Sequence, residues 1–238
     1  MSQASQGMYL VVDTETTGIN APEDKAVEVA AVLVKNGQIT AAFTTYLNPG
    51  RDIPAGASGV HGLVAADVED APTLEEALPW LNSLTTRVDA VVAHNAPFDK
   101  SMLPGLVERR WLDTLRLAKR LLPELESYKN QTLRYELNLH CPEASGMPAH
   151  RALADAYVTA RLLVALLQMA ERAGLPGTID ELIDTISNPM VLHMCNFGKH
   201  KGLLWSDVPK SYLSWLVKQE DFDIDVLHTA KHHLGSNV

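Results

Sequence analysis

The sequence predicts a mixed α/β fold, one sheet carrying helices on both faces, and three observations predict it. Apolar runs of strand length open the chain in quick succession, two of them joined by Asn36-Gly37, the strongest short hairpin signal. From about residue 73 onward, strand-like and helix-like stretches alternate. The longest periodic segment, 151–172, is rich in Ala and Leu and is stopped by Gly174 and Pro176. An antiparallel meander followed by alternating elements needs a sheet with both pairing senses.

Each element has its own warrant. Tyr9, Leu10, Val11 and Val12 form a continuous apolar run, the mark of a strand buried on both faces. After a loop with Gly18 and Pro22, the β-branched stretch VEVAAVLVK (27–35) pairs through the hairpin with QITAAFTTYLN (38–48), which Pro49-Gly50 ends. Thr73 and Glu76 have capping-box spacing at the start of a helix over 73–84. DAVVAHN (89–95) reads as a further buried strand, and Pro97 as the first position of a helix running to about Glu108. Trp111-Leu112-Asp113 makes a short fifth strand, with Asp113 as a strand-end cap, and leads into the basic helix that ends before Pro123. A helix around 130–138 precedes the long one.

Ser187-Asn188-Pro189 marks a boundary, so the chain divides into a main unit over 8–175 and a smaller region over 190–236. In the latter, CNFGKHKGLLW (195–205) reads as a hairpin turning at Gly198–Gly202, followed by helices near 210–220 and 223–234. This small α+β appendage is too short to bury much core alone and is expected to dock on the main unit.

Composition excludes several classes. Cys141 and Cys195 lie far apart without metal-type spacing, so free thiols in a reducing compartment are expected. No apolar run approaches a membrane span, and MSQASQGM lacks the basic start and apolar core of a signal peptide, which points to the cytoplasm and to no membrane partner. The net charge of −9 is uneven: residues 1–90 carry 12 acids and 4 bases, residues 91–175 carry 9 and 11. Arg109, Arg110, Arg116, Lys119 and Arg120 cluster; a solvated helix face is the first reading of them, and a polyanion contact the second. Walker loop, dinucleotide fingerprint and G-x-S-x-G elbow are all absent.

The chemistry concentrates at element ends. Asp13 and Glu15 stand two residues apart on a strand, so their carboxylates point the same way and repel unless a cation lies between them. Asp99 falls in the first turn of a helix, where the macrodipole alone would favour an acid. Asp155 sits in a helix apolar on most sides, a costly place for an unpaired carboxylate. His150, five residues earlier, belongs to the preceding loop and can swing towards the site. Four hard oxygen ligands and one histidine suit Mg²⁺ or Mn²⁺ and two-metal phosphoryl transfer to water.

DTETTG, HNAPFD and HRALAD, in that order, resemble the three motifs of the DnaQ-like, DEDDh-type 3′→5′ exonucleases, over about residues 8–172. The resemblance implies an RNase H-like fold and assigns Asp13, Glu15, Asp99 and Asp155 as metal-binding acids and His150 as general base. It further implies two Mg²⁺ ions, replaceable by Mn²⁺: one held by Asp13, Glu15 and Asp155 with the attacking water, the second mainly through Asp13 at the leaving 3′ oxygen. Asp99 would hold the first coordination sphere in place. The substrate would be nucleic acid with a free 3′ end, single-stranded DNA best, cut to nucleoside 5′-monophosphates in repair or end processing.

Thr16, Thr17 and Gly18 form the turn where backbone can approach the terminal nucleotide, and His94, Asn95 and Phe98 are the other substrate-contact candidates. For Phe98 an ordinary core role weighs more. Glu28 and His61 also match recurrent family positions, with local hydrogen bonding and packing as their plainer roles. FGKHKG with SYLSWL resembles the C-terminal region of exodeoxyribonuclease X-like proteins, where a protein partner could bind and Lys199 and Lys201 could reach a phosphate backbone. An exoribonuclease and a polymerase-associated proofreading or accessory subunit are the alternatives.

Overall fold

The computed structural model describes residues 2–106, 110–148, 150–219 and 221–235. Its strands are β1 (Met8–Thr16), β2 (Ala26–Lys35), β3 (Gln38–Tyr46), β4 (Ala90–Ala93) and β5 (Trp111–Asp113). Its helices are α1 (Ala55–His61), α2 (Ala65–Val68), α3 (Leu74–Thr85), α4 (Ala96–Met102), α5 (Thr114–Leu121), α6 (Asn130–Glu136), α7 (Ala152–Arg172), α8 (Ile179–Ser187), α9 (Lys210–Leu216) and α10 (Ile224–Leu234).

The five strands form one sheet in the order β3-β2-β1-β4-β5. β1 pairs antiparallel with β2 and parallel with β4, so it is central and its apolar run is buried on both sides. Alternation sorts its side chains between two cores. Tyr9 and Val11 join Val32 of β2, Val92 of β4 and the Ala/Leu face of α7. Leu10 and Val12 join Val29, Val91 and Ala93 with Leu81 of α3 and Ala96 of α4. Helices therefore cover both faces, as the sequence implied. Each fully buried leucine, such as Leu163 or Leu166 of α7, contributes about 1.5–3 kcal/mol.

α7 corrects one expectation. It is the one helix among the described residues long and apolar enough to cross a membrane, yet 61% of its apolar window is buried inside the fold. Asp155 and Arg161 interrupt the apolar run, which is why no continuous span shows in the sequence. The helix after Asn95 is also shorter than expected. It begins at Ala96, so Pro97 is second and Asp99 fourth, and it ends at Met102 before Pro104 and Gly105, the latter at φ 90°. Glu108 and Arg109 lie outside the described residues.

Beyond α8 the chain builds its own small apolar cluster around Trp205, Leu213, Leu216 and Ala230. The hairpin expected over 195–205 is reduced to one antiparallel bridge, Met194 to Leu204, around a 3₁₀ turn at Gly198–His200. Gly198 and Gly202 both take positive φ and leave the intervening run too short to pair, so the region is essentially helical. The basic cluster also has a structural use. Arg116 bonds Asp225 of α10 through Nη1 at 3.1 Å and Nη2 at 3.2 Å, and Arg116 and Arg120 both donate to the Asn188 carbonyl. Arg110 pairs with Asp180 and Asp184 of α8. These arginines fasten α8 and the C-terminal region to the main unit instead of facing a polyanion.

Candidate active site

The sheet brings Asp13 and Glu15 to the end of β1 on the face covered by α7, and the first turn of α7 supplies Asp155. One carboxylate oxygen from each lies within 4.8 Å of the other two. Gln131 of α6 donates to Asp155 Oδ1 at 2.8 Å, and Asn130 donates to the Asp155 carbonyl at 3.2 Å, so α6 fixes the acid's position. Neither residue is marked by a motif.

Charge is concentrated here. Burial pushes the Asp13 carboxyl well above the ordinary carboxylate range, and Asp99, Asp155, Glu15 and Glu28 add repulsion in that order. Glu15 is raised to about 7, by burial first, then by Asp155 and Glu28, with Arg151 pulling it down. A hard divalent cation would relieve this repulsion while accepting oxygen ligands, so the donor set fits one.

Asp99 reaches the site from the other face of the sheet. It is 3% exposed on α4, and Thr14, which alternates away from Asp13 and Glu15, donates to its Oδ1 at 2.9 Å. Burial raises Asp99 to about 7 against the lowering effect of that hydrogen bond. It thus stands beside Asp13 without joining the three-oxygen cluster. Thr14 is no bystander on the far face; it holds Asp99.

His150 is exposed, takes φ 57°, and precedes α7 directly. The next residue, Arg151, clamps Glu28, with Nε 3.0 Å from Oε2 and Nη2 2.9 Å from Oε1, and also donates to the Tyr46 hydroxyl at 2.7 Å. Glu28 faces Glu15 across the β1–β2 ladder. Like charges so placed are unfavourable, and Arg151 offsets them. The local hydrogen bonding expected for Glu28 is therefore a clamp on the loop that carries His150.

The remaining candidates separate. Thr17 is 2% exposed and its hydroxyl bonds Asp24 at 3.1 Å, while Thr16 donates to the Gly18 carbonyl at 2.6 Å. A side chain on Gly18 would press on the Asp24 carboxylate, and with both hydroxyls engaged this turn offers backbone. Next to it Ile19 stands 79% exposed, an apolar group that sequence reasoning passed over. His94 corrects its expected role: Nδ1 bonds Thr114 at 2.9 Å and Nε2 the Tyr128 carbonyl at 2.7 Å, leaving neither nitrogen for substrate. Burial lowers its pKa, in keeping with a neutral structural ring. Asn95 occupies the position before α4 at φ 74° without a side-chain cap bond, and its backbone N–H donates to Asp113 Oδ1 at 3.1 Å. Asp113, read from sequence as a strand-end cap, also accepts from the Leu115 amide and so caps α5. Phe98 is half-buried but belongs to none of the apolar clusters among the described residues, which weakens the core reading. His61 is 5% exposed and packs in, its Nδ1 accepting from Leu63 at 3.0 Å.

Comparison with known proteins agrees with this geometry. The RNase_T exonuclease family model matches residues 10–163. The chain belongs to this exonuclease family. It is 32% identical to exodeoxyribonuclease 10 of Escherichia coli K12 over 231 residues, 95% of this chain and 99% of that protein. It is 35% identical over 184 residues to a PolC-type DNA polymerase III of Caldanaerobacter subterraneus, of which the match spans only 13%. Among solved structures, exonuclease X in complex with 5′ overhanging duplex DNA superposes with TM-score 0.64 at 31% identity, covering 75% of this chain and 99% of that one. Exonuclease I of E. coli with a dA16 oligonucleotide, at TM-score 0.56 and 18% identity over 76% of this chain and 43% of that one, shares the fold. The DnaQ-like membership and the RNase H-like sheet expected from the motifs are thereby borne out, and the enzyme is an exonuclease suited to divalent metal.

Proposed function

We propose that this chain is a 3′→5′ exodeoxyribonuclease that uses two Mg²⁺ ions to release nucleoside 5′-monophosphates from single-stranded 3′ ends. The observation that carries this reading is the convergence of Asp13, Glu15 and Asp155, one carboxylate oxygen from each within 4.8 Å of the others at a strand end. These three would hold the metal, with Asp99, held by Thr14, beside Asp13. Bound there, it supplies Lewis-acid activation of water and neutralises charge on the phosphate.

His150, on its exposed loop, takes the proton of the attacking water. Arg151 and Glu28 set how far that loop can move. The backbone of the Thr16–Gly18 turn receives the terminal nucleotide, and Phe98 and Ile19 provide apolar surfaces for a splayed base. Asn95, exposed at the start of α4, lies at the same edge. DNA end processing or repair in the cytoplasm is the setting we assign.

Purified protein with Mg²⁺ and matched 5′-labelled DNA and RNA oligonucleotides provides the test. A shortening ladder on DNA, faster than on RNA, is expected. A faster RNA ladder would transfer the assignment to an exoribonuclease, and intact strands across several metals would overturn it.

A further inference from the structure

α9 and the turn before it build a surface with no part in the hydrolytic site. Tyr212 and Trp215, one turn apart, stack with ring centroids 5.3 Å apart and planes at 28°. Trp215 is 46% exposed, although Phe222 meets its edge at 5.9 Å. Lys199, Ser211, Tyr212 and Trp215 line an open cavity of about 330 Å³.

The turn is built against this plate. The Lys199 ammonium lies 5.3 Å from the Tyr212 ring centroid, and His200 meets the same ring edge-on at 4.5 Å. Gly198 takes φ 61°, and a Cβ there would come 3.0 Å from the Tyr212 hydroxyl. Only glycine lets the turn press down far enough to set a lysine over the tyrosine. Lys199 is the charged residue among those lining this cavity, while Asp221 and Asp223 flank Phe222 at the far edge of Trp215.

We infer that Trp215, Tyr212 and Lys199 form a second nucleic-acid contact, which holds a single strand by base stacking and phosphate pairing away from the hydrolytic site. Charge selects the occupant. An apolar protein partner has no need of a lysine set over the plate, whereas a single strand offers π-faces and phosphates together. The contact is sequence-independent, since every base presents a π-face. Its role as an anchor for the strand being shortened rests on the exonuclease reading above; binding itself does not.

The test uses the full chain and two substrates, a dinucleotide too short to reach beyond the site and a long oligothymidylate. Trp215→Ala should raise KM for the long strand about 10-fold, the loss of one stacked base, with Trp215→Phe restoring most of it. Lys199→Gln should lower the slope of log affinity against log salt by about 1. Dinucleotide turnover should not change in any of the three. Unchanged long-strand KM and salt slope in a protein that cleaves both substrates would overturn the inference. If the wild type cleaves neither, the exonuclease reading fails instead. Anisotropy of labelled oligothymidylate in EDTA then decides the surface: weaker binding by Trp215→Ala supports it, equal binding overturns it.

Discussion

Arg151 grips both carboxylate oxygens of Glu28 through the Nε–Nη2 edge of its guanidinium, and this pair fixes the start of α7 against β2. Glu28 is 2% exposed and also accepts from the Ala152 amide at 3.1 Å. His150 lies one residue before the clamp, and Asp155 four residues after it. The same pair thus sets both the loop that carries His150 and the turn that carries Asp155.

Breaking it should be asymmetric. Arg151→Ala leaves a buried carboxylate without its cation, at a cost of about 3 kcal/mol, whereas Glu28→Gln keeps the shape and some hydrogen bonds and should cost about 1 kcal/mol. Urea unfolding measures both. Arg151→Lys should retain more stability than Arg151→Ala yet lower kcat, because a lysine cannot make the bidentate grip. Equal kcat in Arg151→Lys and wild type would separate the clamp from catalysis.

Asp13 is expected to oppose stability while serving activity. Asp13→Asn should reduce hydrolysis on the order of a thousandfold. In EDTA at pH 8 the same change should raise Tm, because it removes a buried charge that faces Asp99, Asp155 and Glu15. A structural role for Asp13 would lower Tm instead.

Stability of the metal-free protein should fall as pH rises. Glu15 and Asp99 both stand at about 7 in the folded chain, against ordinary values of 4.5 and 3.8. Their folded-state pKa values are raised, so the folded chain binds more protons than the unfolded one between those limits. The contribution is fully present below about pH 4 and lost as pH passes 7. In EDTA, Tm should drop by about 5 °C between pH 5 and pH 8, and Mg²⁺ should restore more at pH 8 than at pH 5. A flat EDTA profile would contradict the raised carboxyls.

Much of this was legible in the sequence because two periodicities are simple. Alternation in VVDTETTG puts Asp13 and Glu15 together and sends Thr14 to the other face. What alternation cannot give is the partner on that face: Thr14 meets Asp99 only because α4 packs there. Gln131 on Asp155 and Tyr46 on Arg151 are likewise contacts between distant segments. α1 is hidden by AGASGVH, where two glycines weaken the helix signal. α8 was readable, since Thr178 and Glu181 have capping spacing and the Thr178 hydroxyl accepts from the Glu181 amide. His94 misled for a different reason: a motif histidine looks reactive until both nitrogens are found bonded.

Thr14→Val should separate holding Asp99 from binding metal. Valine keeps the shape and removes the only feature that distinguishes the two side chains at this position, the hydroxyl that donates at 2.9 Å. That bond lowers the Asp99 pKa, so without it the carboxyl should titrate higher still. The acid limb of kcat should then move to higher pH, with KM little changed. An unshifted limb would mean that Asp99 acts only when metal already fixes its charge.

Arg116 gives the last expectation, because it joins two parts of the chain through one side chain. Its guanidinium meets Asp225 through both terminal nitrogens and donates from Nε to the Ile186 carbonyl at 2.7 Å. Asp225 is fully buried, and its Oδ1 also accepts from the Met190 amide at 3.0 Å. Arg116→Ala would leave that carboxylate buried without a cation, at a cost of about 3 kcal/mol, and would take the Arg116 donor from the Ile186 carbonyl near the end of α8. The loosened joint lies at 186–190, so limited trypsin digestion should release the C-terminal region faster than from wild type, cutting at Lys199 or Lys201 first. Arg116 touches none of the four acids, so dinucleotide turnover should be retained. Long-strand KM should rise as it does for Trp215→Ala, because the plate would no longer be held against the main unit. Loss of dinucleotide turnover in Arg116→Ala would show that the joint supports the hydrolytic site directly.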